Sequence, residues 1–212
     1  MAASEKGNGM RLWSFQQPAA WEAIKATGKY SVPESEVDED FVPAYRWIIE
    51  KMTERIGPAP AGVTFPVWVW ARREGQDGKR PDLRRNEYCS TGEAFVLLEL
   101  EIPSERLLLS DANGWDSVLL GTFYLPQIQT DAAYDAESAM LDGLPQDERA
   151  AKIRKTWNGI FDVKNKYPND SWWGRGMYVQ ATAWEFRKED VVSVTTHIKG
   201  KAAVKELLKN CR

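Results

Sequence analysis

The pattern of hydrophobic and polar positions from Tyr178 to Val194, YVQATAWEFRKEDVVSV, reads as two strands joined by a charged turn. Alternate side chains of a strand share a face, so Gln180, Thr182 and Trp184 point one way and Val179, Ala181, Ala183 and Glu185 the other. Arg187-Lys188-Glu189-Asp190 forms the turn. An amide, a hydroxyl and an indole on one face make a wall suited to a flat polar ligand. The plainer reading is a half-buried strand with a polar outer face.

Elsewhere the pattern predicts a mixed chain. MRLWSFQ, from Met10 to Gln16, alternates as a first strand, with Leu12, Ser14 and Gln16 against Arg11, Trp13 and Phe15. Pro18 then opens a helix with Ala20, Trp21 and Ile24 as its apolar stripe, and Gly28 stands where a left-handed terminator belongs. Phe41, Tyr45, Ile48, Met52 and Ile56 recur at helical spacing before Gly57, with Asp38 and Asp40 at the helix's positive end. FPVWVWAR, residues 65 to 72, is a buried strand placing Trp68, Trp70 and Arg72 together. A long charged loop carrying Arg80, Arg84 and Arg85 comes after it. Glu93 to Glu101 is the next strand, and Leu107 to Ser110 a short one. Asp111 then caps a short helix containing Trp115 and Val118, or serves a site. Residues 126 to 143 read as a weakly patterned insertion. Helices are predicted at Asp147 to Phe161 and Lys201 to Leu208, with residues 1 to 9 as a frayed tail.

Composition narrows the class. The 212 residues, 43% hydrophobic and 28% charged, suit one globular domain over 10 to 212. No apolar run is long enough to span a membrane, and MAASEKGNG lacks a secretory core, so a cytoplasmic protein without a membrane partner is expected. A net charge of −3 argues against coating nucleic acid by bulk electrostatics, while leaving room for a local basic patch. His197 is the sole histidine, which excludes multi-histidine metal sites. Cys89 and Cys211 have no ligand-like neighbours, so neither zinc nor a disulfide framework is suggested. Ten tryptophans stand out. Trp68, Trp70, Trp172 and Trp173 lie beside Arg72, Arg73 and Arg175, a pairing that suits either an aromatic core or stacking on a nucleobase or nicotinamide ring.

Three segments give the chain a resemblance. LWSFQ with its helix and Gly28, DEDFVPAYRWI, and QATAWEFRKEDVVSV resemble the first strand, the aromatic "YVPFYF" run and the "QAEFLV" strand of the ADP-ribosyltransferase fold, most closely the DarT-type toxins that modify DNA. The chain also resembles an uncharacterised bacterial family of unknown function, through RPDLR at 80 to 84 and LLLSD with Trp115. The resemblance implies an α+β fold of two packed, bent β-sheets with flanking helices, NAD as substrate, no metal, a nucleic acid or protein acceptor, and an antitoxin partner. Its first-strand histidine falls on Ser14 and the following hydroxyl on Gln16. Gln180 matches the family's glutamine, but the decisive glutamate falls on Thr182, which has no carboxylate. Asp111 and Glu185 are the acids nominated in its place. The NAD-gripping arginine has no clear counterpart, with Arg46, Arg72 and Arg84 as candidates. The expected cleft therefore gathers Ser14, Gln16, Tyr45, Trp68 or Trp70, and Gln180.

Two other classes compete. SFQQPAAW resembles the opening of small RNA-binding barrels, although GKYSVPESE stands where that class has Lys-x-x-Glu-x-Arg. A Trp-rich face is also suited to a protein interface.

Overall fold

A computed structural model describes residues 9–83, 94–128, 130–165 and 175–198. In chain order the elements are β1 (Gly9–Gln16), α1 (Pro18–Thr27), β2 (Lys29–Tyr30), α2 (Val42–Ile56), β3 (Val67–Arg73), β4 (Gln76–Asp77) and β5 (Ala94–Pro103). After these come β6 (Leu108–Asp111), α3 (Ala112–Leu119), α4 (Asp131–Asp142), α5 (Gln146–Thr156), β7 (Val179–Ala183), β8 (Phe186–Arg187) and β9 (Val191–Ile198). The chain is α+β. The predicted tail residues 1–8, Arg84 and Arg85, Trp172 and Trp173, and the predicted helix at 201–208 lie outside the described residues.

The main sheet is antiparallel, in the order β6-β7-β3-β1-β5-β9, with β4 paired to β3. Among the described residues, the expected pair of packed sheets is replaced by one main sheet and a small ribbon. The ladder runs unbroken because β7 bonds β3 on one side and β6 on the other, and the second sheet is only the two-residue ribbon β2–β8.

Both faces of the main sheet are covered. On one, Leu12, Val67, Val69, Leu98, Leu100 and Ala181 pack with Ile24 of α1. That helix starts at Pro18, where a missing N–H costs nothing, and stops at Gly28, whose φ of 82° lets its N–H reach the Ile24 carbonyl. On the opposite face, Leu108 packs with Trp47, Ile48 and Met52 of α2, Trp115 of α3 and Ile160. Full burial of each such aliphatic side chain contributes about 1.5–3 kcal/mol. Residues 126 to 143 are more regular than their composition implies. Thr130 caps α4 by accepting the Ala133 N–H, and Leu141 is buried with Phe123 and Ile153.

Two features reshape the stretch from Tyr178 to Val194. The strand breaks after Ala183, so Trp184 leaves the ladder, buries among the α2 aromatics and donates its indole N–H to the Gly57 carbonyl. Phe186 and Arg187 then pair with Tyr30 and Lys29 instead of extending β7. The charged turn is a helical turn, Lys188–Asp190, held by a bidentate Arg106–Asp190 pair at 2.7 and 3.0 Å. Asp190 also accepts the Arg187 N–H.

The packing of α3 allows no side chain at Gly114. A Cβ there lies 2.8 Å from Ile160 Cγ2 and 2.9 Å from Tyr124 Cζ. Alanine in a helix is ordinarily stabilising by up to about 1 kcal/mol relative to glycine. Gly114→Ala is expected to reverse that sign, costing about 1–3 kcal/mol through overpacking and lowering the urea midpoint.

Candidate functional site

A pocket of about 540 Å³ opens on the α2/α3 side of the sheet. Its floor includes Gln180 and Trp70, the middle two of a cross-strand row in which Ser110, Gln180, Trp70 and Trp13 stand opposite one another on β6, β7, β3 and β1. Residues facing each other across a ladder share a face, so Trp70 and Gln180 lie side by side in the pocket. Phe15 and Tyr178 complete the aromatic lining, and α3 supplies the opposite wall with Ala112, Asn113, Trp115 and Asp116.

A β-bulge decides which arginine belongs to the site. Strict alternation puts Arg72 with Trp68 and Trp70, but the register shifts between Trp70 and Arg72. Arg72 consequently pairs with Val179. Its Nη1 donates to the Val163 and Gly176 carbonyls at 2.8 and 3.0 Å, and its Nε pairs with Asp77. Arg73 is turned into the pocket, its guanidinium carbon 4.8 Å from the Trp70 ring centre and 5.8 Å from that of Tyr178. A guanidinium held over two rings gains cation–π stabilisation where water is excluded.

Asp111 joins the two walls. It ends β6, caps α3 by accepting the Gly114 N–H at 2.9 Å, and accepts the Gly176 N–H at 2.6 Å through its other oxygen. The carboxyl is 1% exposed. Desolvation pushes its pKa above the ordinary carboxylate value, against the pull of the Gly176 and Gly114 N–H groups and the Arg175 charge. Arg175 is itself anchored on Asp162. Asp111 is thus a structural clamp, and neither oxygen is left to face the pocket.

The predicted site residues are partly separated. Gln180 and Trp70 meet. Ser14 and Gln16 do not join them, because they share the α1 face with Leu12, paired to Leu98 and Val96. Ser14 donates to the Trp68 carbonyl and Gln16 to the Ser14 hydroxyl. Thr182 is fully buried in the row behind, between Trp68 and Leu108. Tyr45 meets Trp68, Trp115 and Phe65 edge-on in that same aromatic cluster. Burial raises the Tyr45 hydroxyl pKa, partly offset by the Trp68 indole N–H. Glu185 lies at the β2–β8 ribbon, paired with Lys29 and Arg187. Arg46 is exposed on α2, and Arg84 lies outside the described residues. Asn113, Asp116 and Arg73 are polar pocket residues to which the alternation pattern assigns no role. Asn113 and Asp116 carry one legible signal, their i, i+3 spacing on a helix.

The domain-of-unknown-function family DUF3841 matches residues 11–192. The chain belongs to DUF3841. No curated protein and no solved structure matches it. Every residue lining the pocket falls inside the span matched to DUF3841. Among the described residues no group of three or more His, Cys, Asp or Glu is placed to hold a metal ion, and no helix is long and apolar enough to cross a membrane.

Two buried N–H groups lose their acceptor when Asp111 is truncated. Asp111→Ala is expected to destabilise the chain by about 2–5 kcal/mol in urea unfolding, whereas Asp111→Asn, which keeps one carbonyl acceptor, loses less.

Proposed function

We propose that the pocket receives the nicotinamide end of NAD, and that this DUF3841 chain is an NAD-dependent ADP-ribosyltransferase acting on a nucleic acid or protein. Gln180 carries the reading. Its Nε2 is buried and, among the described residues, has no hydrogen-bond acceptor, although it lines an open pocket beside Trp70. A buried donor without an acceptor costs about 1–3 kcal/mol, which a ligand carbonyl recovers. Nicotinamide brings a carboxamide on a flat ring, so one group satisfies Gln180 while Trp70, Trp115 and Phe15 offer apolar faces. Arg73 adds a fixed positive charge suited to a diphosphate. NAD supplies an activated glycosidic bond, and the chain's part is to hold and orient it. The sequence resemblance to ADP-ribosyltransferases, centred on Gln180, points the same way. As in the DarT-type toxins it resembles, a conflict setting with an antitoxin partner belongs to this reading.

The Trp70–Arg73 stack favours one second reading. A base from a single nucleic-acid strand has the same flat face and carbonyl groups, and its binding weakens with salt.

Calorimetry with NAD on the wild type and Gln180→Ala tests the first reading, together with labelled NAD offered alongside DNA, RNA and cell lysate. Wild type is expected to bind and transfer label. Gln180→Ala is expected to weaken NAD binding by about tenfold to a hundredfold, with no loss of folding stability because it removes an unpaired buried donor. Absence of NAD binding by the wild type contradicts it. Salt-dependent quenching of tryptophan fluorescence by single-stranded RNA, without NAD binding, supports the second.

A further inference from the structure

We propose that Asp116 is the carboxylate of this pocket, stabilising the reacting ribose of NAD and taking the acceptor's proton; this rests on the nicotinamide reading of the pocket. The sequence pattern nominates Thr182, Asp111 and Glu185, and none of the three lines the pocket. Thr182 is fully buried between Trp68 and Leu108, Asp111 spends both oxygens on backbone N–H groups, and Glu185 is held by Lys29 and Arg187 at the far ribbon. Asp116 alone among the described acids lines the pocket that holds Gln180 and Trp70.

Its setting suits the role. Asp116 lies on α3 one turn after Asn113, and both line the pocket, so an amide and a carboxylate stand together on one helix face. The Asp116 carboxylate makes no hydrogen bond or ion pair with any described residue, in contrast to Asp111 and Glu185, and the residue is partly exposed in the pocket lining. Partial burial raises its pKa above the ordinary carboxylate value, which makes it a stronger base than a free aspartate. The Asp111 clamp fixes the start of the eight-residue helix, and with it the distance from Asp116 to the sheet.

The step balances without a further reactant. The bond between the nicotinamide nitrogen and the ribose carbon breaks with its electron pair going to nitrogen, so the pyridinium leaves as neutral nicotinamide. Positive charge then develops on the ribose, where a carboxylate stabilises it electrostatically. A lone pair on an acceptor oxygen or nitrogen forms the new bond to that carbon. The acceptor's proton passes to Asp116 and from there to water.

Asp116→Asn and Asp116→Glu test this, with NAD binding followed by calorimetry and nicotinamide release followed over time. Wild type is expected to bind and consume NAD. Asp116→Asn is expected to bind within about threefold of wild type while releasing nicotinamide about a hundredfold more slowly or worse, and Asp116→Glu to regain part of that rate. A rate for Asp116→Asn within about threefold of wild type overturns the assignment and leaves the nicotinamide pocket standing. Loss of binding equal to the loss of rate makes Asp116 a binding group only, and overturns it as well. Wild type that neither binds nor consumes NAD removes the pocket reading and this assignment together.

Discussion

The buried carboxylate of Asp111 holds the site together. It ends a strand, starts a helix and pins a third segment, because its two oxygens accept N–H groups from Gly114 and Gly176. The Ala112 N–H donates to the Tyr178 carbonyl and the Gly75 N–H to the Met177 carbonyl, so residues 176 to 178 are sewn between α3 and the β3–β4 hairpin. One wall of the pocket comes from α3 and the other from this segment and the β7 that it enters. Removing a charged group from water is unfavourable, and the raised Asp111 pKa registers that cost. Two backbone donors and the nearby Arg175 offset it.

Around that clamp, the molecule accepts local penalties on the pocket side. The bulge after Trp70 shifts the β3–β7 register by one residue and aims Arg73 at two aromatic rings. Gln180 buries an amide donor without an acceptor among the described residues. Sheet interiors ordinarily avoid both. Their coincidence in one pocket, bordered by Asp116 as the one acid among its described lining residues, distinguishes this face from the well-satisfied α1 face, where Ser14 and Gln16 bond to one another and to the Trp68 carbonyl. A buried donor without an acceptor that also lines an open pocket marks a place where a ligand can complete the structure.

Much of the scaffold was legible from the residues. Alternation in MRLWSFQ, Pro18 and Gly28 around α1, and Asp111 before α3 each arise from local chemistry acting within a few residues. The site was harder to read for three physical reasons. Both sheet faces are covered by helices, so polarity does not say which one carries a pocket; Ser14 and Gln16 look like site residues and lie on the other side. The bulge at Ala71 has no glycine or proline to announce it, so the exchange of Arg72 for Arg73 arises from pairing with β7, distant in sequence. The break after Ala183 is driven by the burial of Trp184 against α2 and by pairing with β2, again long-range events. The alternation that places Glu185 assumes a continuous strand, which the fold interrupts after Ala183, whereas Thr182 keeps its predicted place in β7.

A crystal structure of the chain soaked with nicotinamide shows where a flat carboxamide goes, whether or not a reaction occurs. The ring is expected between Trp70 and Trp115, with the carboxamide oxygen accepting from Gln180 Nε2. A ring bound elsewhere, or an empty pocket in which Gln180 has turned to a protein acceptor, contradicts the nicotinamide reading of the pocket.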